Sequence, residues 1–389
     1  MDVIETTGQL QKFCDEMARH SFVTVDLEFL REHTYYAKLC LIQVGSKSRC
    51  VIIDPLAEGI DLTPFFDLMT NPEVIKVFHS GRQDIEIIYN MSHRIPAPLF
   101  DTQIAGMVTG FGESISYENL VAHILHLKLD KSNRLSDWSK RPLNPSQLEY
   151  ALADVTHLVP VYEHLKDKLD SLGRADWIKE EIDALSSPET YETNPQEAWQ
   201  RIRHRSHNAR FLTVLRELAA WREARSQRKN TPRQSFIKDE ALLAICAMCP
   251  QTKEELMQIR NLRRDIAQGR LGDEIVEVLS HIKDIPEKDY VRPPKLRELQ
   301  EKNHSLYELL KLLLKIVSQN QGIVSRLLAS DEDIKEFSNF NDKNCAVLKG
   351  WRYDVFGRQA LELRSGRLAI RFDPQTRGIV FENAGAQPL

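Results

Sequence analysis

Cysteine is scarce, with six in 389 residues, at positions 14, 40, 50, 246, 249 and 345. Only Cys246 and Cys249, in CAMCP, are neighbours, and neither a second cysteine pair nor a histidine stands at zinc spacing. They fall within the apolar helical pattern of Leu242, Leu243, Ile245 and Met248, so the pair reads as core packing rather than a metal or redox site. Long apolar runs are missing too, and nothing approaches the roughly 18 residues of a membrane span. The first residues, MDVIETTGQLQKFCDE, have neither a basic flank nor an apolar core, which argues against a signal peptide and points to the cytoplasm. No P-loop occurs, which excludes a helicase motor. There is no long low-complexity tract.

What is present is ordinary globular composition, 42% apolar and 28% charged. The length suggests two or three domains. A net charge of −4 conceals an asymmetry: residues 1–190 carry 29 acids against 18 Lys and Arg, and residues 191–389 carry 27 against 34. The contrast peaks at 197–229, which holds nine Lys and Arg, three Glu, two His and two Trp. An acidic half joined to a basic half suggests cations bound by one and a polyanion by the other.

Along the chain, FVTVDLEF, AKLCLIQVG and CVIID read as a β-meander over 22–54. LTPFFDLM is helical, VIKVFH is a strand, and GRQDIEIIYN opens a helix. Helices follow at DTQIAGMV, at SYENLVAHIL and from about 145 to 172. Strands followed by helices that wrap a mixed sheet make an α/β domain. SSPETYETNPQEAW (186–199) and the proline-rich IPEKDYVRPPKL (285–296) read as linkers on either side of a wholly helical segment, 200–283. LYELLKLLLKIVSQNQGIVSRLL is an amphipathic helix, and GRLAIRFDPQTRGIVFE alternates around a turn as a hairpin.

Two acids interrupt the run SFVTVDLEFL. In a strand, Asp26 and Glu28 project to one face with Phe22 and Thr24, while Val23, Val25 and Leu27 take the other. By itself that pair fits an edge strand as well as a metal site. Asp84 sits in the first turns of a helix just after a strand, where an acid complements the helix dipole. Asp101 reads as an N-cap. Tyr150 and Asp154 are four apart on a helix flanked by apolar residues, and so share a face. Four carboxylates that converged without cations would repel one another and rise in pKa. Two divalent ions would relieve this, and all-oxygen ligation suits Mg2+ or Mn2+. Two such ions roughly 4 Å apart can clamp in-line attack at phosphorus, provided the three segments meet in space.

These residues resemble the DEDD superfamily of 3′–5′ exonucleases. VDLEF matches its first motif, HSGRQDIEII its second and YALADV its third. The residue five before the last acid is Glu149 and the residue four before it is Tyr150, as in the tyrosine branch rather than the histidine branch. REHTYYAKLCLIQVG, FHSGRQDIEI, FDTQIA and DKSNRLSDWSKRPLNPSQLEYALADV are similar, nearly word for word, to the bacterial ribonuclease D family. The departure is Leu27, where threonine is expected, on the side chain that points away from the acids. FLTVLRELAAWREARSQRKNTPRQSFIKDEALLAICAMCPQTKEELMQI resembles an HRDC domain, a helical nucleic-acid-binding module, and 303–337 is similar to a second, divergent one.

The resemblance implies a ribonuclease H-like α/β exonuclease domain at 1–190, an HRDC domain at 197–285, and an HRDC-like domain with a C-terminal hairpin at 293–389. It implies that Asp26, Glu28 and Asp154 hold the tighter cation, that Asp26 bridges to a second supported by Asp84, and that Tyr150 orients the attacking water. The implied activity is removal of nucleoside 5′-monophosphates from RNA 3′ ends, with tRNA precursors as substrates and no membrane or obligate protein partner. Arg201, Arg203, Arg205, Arg210, Arg263 and Arg264 would hold the RNA body through phosphates. A solvated helical face is the bland alternative for each. Trp199 and Trp221 could stack on bases, although Trp221 in LAAWREA suits a core. His79 suits a structural hydrogen bond or a substrate contact equally. The alternative functions are a proofreading DNA exonuclease, for which no polymerase domain follows, and a non-catalytic RNA-binding scaffold, against which stand five filled site positions.

Overall fold

The computed structural model describes residues 2–130, 132–292, 299–343 and 345–383. Its first part is built on a six-stranded mixed sheet in the order β1-β4-β3-β2-β5-β6. The strands are β1 (Val3–Ile4), β2 (Phe22–Leu30), β3 (Lys38–Gly45), β4 (Cys50–Ile53), β5 (Ile75–Phe78) and β6 (Leu99–Asp101). The expected meander is there: β2 pairs antiparallel with β3, and β3 with β4, while β5 and β6 join parallel beyond β2. Aromatic and β-branched residues favour this central position for β2.

Alternation along β2 sorts its side chains as the sequence implied. Val23, Val25 and Leu27 enter an apolar cluster with α1 (Thr7–Met17), α2 (Thr63–Thr70) and α3 (Arg82–Ser92). The opposite face of the sheet is covered by α4 (Thr102–Thr109), α5 (Tyr117–Leu125), α6 (Pro145–Thr156) and α7 (Leu158–Leu172), with Phe22 packed among α4, α5 and α7. Asp26 and Glu28 therefore point toward helices rather than solvent. A shift in pairing register falls between Glu28 and Phe29, a bulge of the kind that re-aims a side chain beside a functional site.

One helical expectation is corrected. The segment 145–172 is two helices that meet at His157. Pro160 has no N–H for the Thr156 carbonyl, and its ring crowds that carbonyl, so the first helix ends there.

After α8 (Lys179–Leu185), the segment expected to be a linker is packed rather than free. Tyr191 is buried in the α1–α3 cluster and Ala198 in the next one. That next cluster is wholly helical: α9 (Ala209–Lys229), α10 (Arg233–Phe236), α11 (Asp239–Met248), α12 (Lys253–Leu256), α13 (Arg264–Gln268) and α14 (Arg270–Ile282). Cys246 is buried within it, and Cys249 caps α11 in a left-handed conformation as a free thiol. Part of the second expected linker, residues 293–296, lies outside the described residues.

The C-terminal part does not stand apart. α15 (His304–Gln321) ends at Gly322 in the left-handed conformation that glycine tolerates. Its Tyr307, Leu310, Leu313, Leu314 and Val317 share one apolar cluster with Met107, Val108, Leu165 and Leu169 of the first part. Trp177 and Trp351 stack at 4.6 Å, Val324 N–H donates to Met107 O, and Arg352 pairs with Glu180. The closing hairpin is present as β7 (Leu368–Asp373) and β8 (Gly378–Asn383).

Candidate active site

The site begins with β2, which carries Asp26 and Glu28 to the sheet face beneath α6. Two features hold α6 close. Thr24, on the same face as the two acids, donates from Oγ1 to Val155 O at 2.9 Å. A Cβ at Gly45 would lie 2.6 Å from Thr24 Oγ1 and 3.2 Å from Val155 Cβ, so the absence of a side chain there lets the helix approach. From the other side, Tyr117 of α5 donates to Ala153 O at 3.0 Å. The carbonyls on either side of Asp154 are thus both gripped by hydroxyls. N-terminal to them, Asn144 and Gln147 form a capping box.

The result is the convergence that sequence alone left open. Asp26, Glu28 and Asp154 each offer a carboxylate oxygen within 4.8 Å of the others. Asp84 and Tyr150 line the same cavity, of about 590 Å³, together with His79, Ser80, Gln83, Tyr117, Asn133 and Arg134. Asp84 is outside the tight trio and almost fully buried. It is presented by a turn whose Ser80 has φ of 57°, and a Cβ at Gly81 would sit 2.4 Å from Phe78 Cβ. Asp101 caps α4 as expected, and also accepts from the N–H groups of Ser80 and Gly81, fixing that turn.

The four acids are desolvated together and repel one another. Burial raises Asp26 to about 7, against a bond from the Leu27 N–H that favours the charged form. Burial, then Asp26, Asp154 and Asp84, raises Glu28 to about 9. Burial, then Asp26 and Glu118, raises Asp154 to about 8, and Asp84 is pushed well up by burial, Asp26 and Asp101. A hard, all-oxygen donor set held this closely fits one or more divalent cations of the Mg2+ class. Burial and the same acids push the Tyr150 phenol well above its ordinary range. Trp138, which is buried, packs its ring 6.0 Å from that of Tyr150.

The remaining expectations fare unevenly. His79 bonds Thr102 Oγ1 through Nδ1 at 2.9 Å, the structural hydrogen bond of the two expectations, and it also lines the cavity. Trp221 packs on the α9–α14 core and donates to Glu274, and Trp199 lies against His204. Of the six arginines, Arg201 lines a second cavity of about 910 Å³, between α3, the 189–197 segment and α9–α10, with Arg31, Arg82 and Arg233. Arg203, Arg205, Arg210 and Arg264 are exposed, and Arg263 pairs with Asp265 at 2.5 Å. Thr24 shares the parity of the two acids, and Arg134 and Trp138 lie within the stretch that carries the family resemblance, but no local pattern gives any of them, or Tyr117, a role at the site.

Comparison with known proteins agrees with this geometry. A family model described as 3′–5′ exonuclease matches residues 1–170, and an HRDC domain model matches 211–279. The chain is 42% identical to ribonuclease D of Granulibacter bethesdensis over 95% of its own length and 94% of that relative. It is 43% identical to ribonuclease D of Acidiphilium cryptum over 95% and 94%. Among solved structures it resembles Escherichia coli RNase D, described as an exoribonuclease involved in structured RNA processing, with a TM-score of 0.80, 26% identity and coverage of 94% of this chain and 98% of that one. Identity of this extent over nearly the whole chain, on a fold with a converged acidic site, makes the chain a member of the ribonuclease D family, a metal-dependent 3′–5′ exoribonuclease.

Proposed function

We propose that this enzyme trims tRNA precursors and other structured RNAs that end in a single-stranded 3′ extension, releasing nucleoside 5′-monophosphates. The observation that carries the reading is the convergence of Asp26, Glu28 and Asp154 to within 4.8 Å, with Asp84 and Tyr150 on the same cavity wall. In this reading the trio would hold the tighter of two cations, Mg2+ or Mn2+, and Asp26 together with Asp84 would hold the second. Bound there, such a pair neutralises charge at phosphorus and makes water a competent nucleophile. Tyr150 orients that water. Its raised pKa suits a phenol that positions through hydrogen bonds rather than one that takes a proton. Trp138 restrains the ring, and Arg134, beside the phenol, is placed to hold phosphate oxygens of the terminal nucleotide.

The domain plan in this reading is an exonuclease at 1–190, an HRDC domain at 197–285 and an HRDC-like unit at 293–389, acting in the cytoplasm. No helix among the described residues is long and apolar enough to cross a membrane. Arg201, in the cleft shared by the first two units, and the exposed arginines of the basic segment take the RNA body by phosphate contacts.

The test is a 5′-labelled tRNA with a short 3′ extension, incubated with Mg2+, with Mn2+ or with EDTA, beside single-stranded DNA. A cation-dependent ladder that shortens from the RNA 3′ end, with DNA degraded poorly, is the expected result. Preferential degradation of DNA would favour the proofreading alternative. Binding without shortening in either cation would overturn the catalytic assignment.

A further inference from the structure

Strand β3 carries a polar side chain that the fold does not use. Gln43 lies in the run LIQVG and is fully buried, and neither its Oε1 nor its Nε2 has a hydrogen-bond partner among the described residues. A buried amide left without hydrogen bonds has lost its hydration with nothing in exchange, which destabilises the fold. A methionine or leucine of similar volume would avoid that penalty.

Position narrows what could satisfy the amide. Gln43 is directly opposite Asp26 in the antiparallel β2–β3 pair. The two side chains therefore leave the same face of the sheet, with Cβ atoms about 5 Å apart. On its other side Gln43 faces Ile52 of β4, which packs beneath α6 with Leu41, Trp138 and Ala151. The one polar atom among those neighbours is Trp138 Nε1, itself buried without a hydrogen-bond partner among the described residues; as a donor it could serve Gln43 Oε1 but not the Nε2–H, which needs an acceptor. The polar side of the enclosure is Asp26 and the acids that converge on it.

We propose that Gln43 is a positioning residue for the cation site: its Nε2–H donates to the Asp26 carboxylate, directly or through one water, when cations are bound. This rests on the metal assignment made above. Carboxylates that ligate metals are themselves held by an outer layer of hydrogen bonds, and losing one such partner typically weakens metal affinity 10–100-fold. Gln43 touches neither the RNA nor the reacting atoms. It acts through the orientation of Asp26.

The test is titration of Mn2+ into the full chain followed by calorimetry, alongside thermal unfolding in EDTA, for wild type, Gln43→Met, Gln43→Leu and Asp154→Asn. Two apolar replacements of different shape are used so that a packing fault in one does not obscure the result. The expected result is tight binding to wild type and its loss in Asp154→Asn. Gln43→Met and Gln43→Leu should bind Mn2+ at least 10-fold more weakly, with an unfolding midpoint in EDTA equal to or above that of wild type. Wild-type affinity in both Gln43 variants would overturn the proposal while leaving the metal site standing. A midpoint in EDTA well below wild type in both would also overturn it, because the amide would then be bonded in the cation-free protein. Failure of wild type to bind Mn2+, or undiminished binding by Asp154→Asn, would overturn the metal assignment and this inference with it.

Discussion

Removing divalent cations should make the fold progressively less stable as pH rises from 6 to 9. Asp26, Glu28 and Asp154 stand at about 7, 9 and 8, against ordinary values of 3.8, 4.5 and 3.8. A carboxyl raised by folding stabilises the native state in full below about pH 4 and loses that contribution as pH climbs through its folded value. Each unit is worth about 1.4 kcal/mol. The three acids act on one another, so their contributions overlap, and the combined loss between pH 6 and 9 is on the order of 5 kcal/mol. That is a large share of the 5–15 kcal/mol typical of a folded domain. It corresponds to a fall on the order of 10 °C in the unfolding midpoint. Cations reverse the loss because they bind the ionised cluster, and at pH 9 they displace few protons. Midpoints measured by circular dichroism in EDTA and in saturating Mg2+ should therefore diverge as pH rises. Asp154→Asn should flatten the EDTA curve. A gap between the two curves that is the same at pH 6 and pH 9, or the same in wild type and Asp154→Asn, would refute the reasoning.

Asp26→Asn or Asp154→Asn should lower exonuclease turnover by about 10³-fold or more with RNA binding intact by filter assay; near-normal turnover in both would remove these acids from the cation site. Tyr150→Phe should slow hydrolysis about 10–100-fold through a misplaced water with unchanged Mn2+ affinity, and a fully active variant would make the phenol purely structural. Arg233→Met should destabilise by about 3–5 kcal/mol, because Glu223 is buried and bonded to both Arg233 and Tyr35. Adding Glu223→Gln should recover part of that loss, and a double variant no more stable than the single would show that the loss does not come from a buried charge left unpaired. Trp351→Ala removes the ring stacked at 4.6 Å on Trp177 and should destabilise by about 2–3 kcal/mol. Its effect should appear in the same unfolding transition that Mg2+ stabilises, and a shift confined to a separate transition would mean that the C-terminal part folds by itself.

Much of the site was legible because its residues obey short periods. Two-residue alternation put Asp26 and Glu28 on one face of β2, and four-residue spacing put Tyr150 and Asp154 on one face of α6. The N-cap reading of Asp101 held for the same local reason. What stayed hidden depends on pairs distant in sequence. Thr24 reaches Val155, Tyr117 reaches Ala153, and Arg141 holds the segment after Trp138 by bonding Asp54 and Cys40 O. None of these pairs has a spacing that a local pattern can report. Gln43 is a sharper case, since one polar residue within LIQVG fits an exposed edge as easily as an orphaned interior amide. The break at His157 was different, because Pro160 carried the signal in plain view and the apolar pattern running through it concealed the effect.

The C-terminal part marks a second limit of periodicity. An amphipathic helix announces that it has an apolar face but does not say which surface will cover it. The stripe of Leu310, Leu313, Leu314 and Val317 is compatible with an independent bundle, which is how a chain ending in an HRDC-like unit would be read. In the structure that stripe packs against the helices at Ser325–Leu328, Asp331–Ser338 and Arg358–Arg364, and the apolar cluster they form, with Ile323, Leu327 and Leu328, is continuous with that of α4 and α7. Helix α7 follows α6, and α6 carries Asp154, so the terminal helices support the layer on which the acidic site rests. The α9–α14 cluster, by contrast, has its own buried residues and meets the first part through polar bonds of Tyr35, Tyr36 and Gln227. Truncation at residue 197 would strip apolar cover from α4 and α7 along with any RNA-binding surface. Loss of activity in such a fragment would then report an exposed core, and point variants at Arg201 or Arg233 are the cleaner way to separate RNA binding from support of the fold.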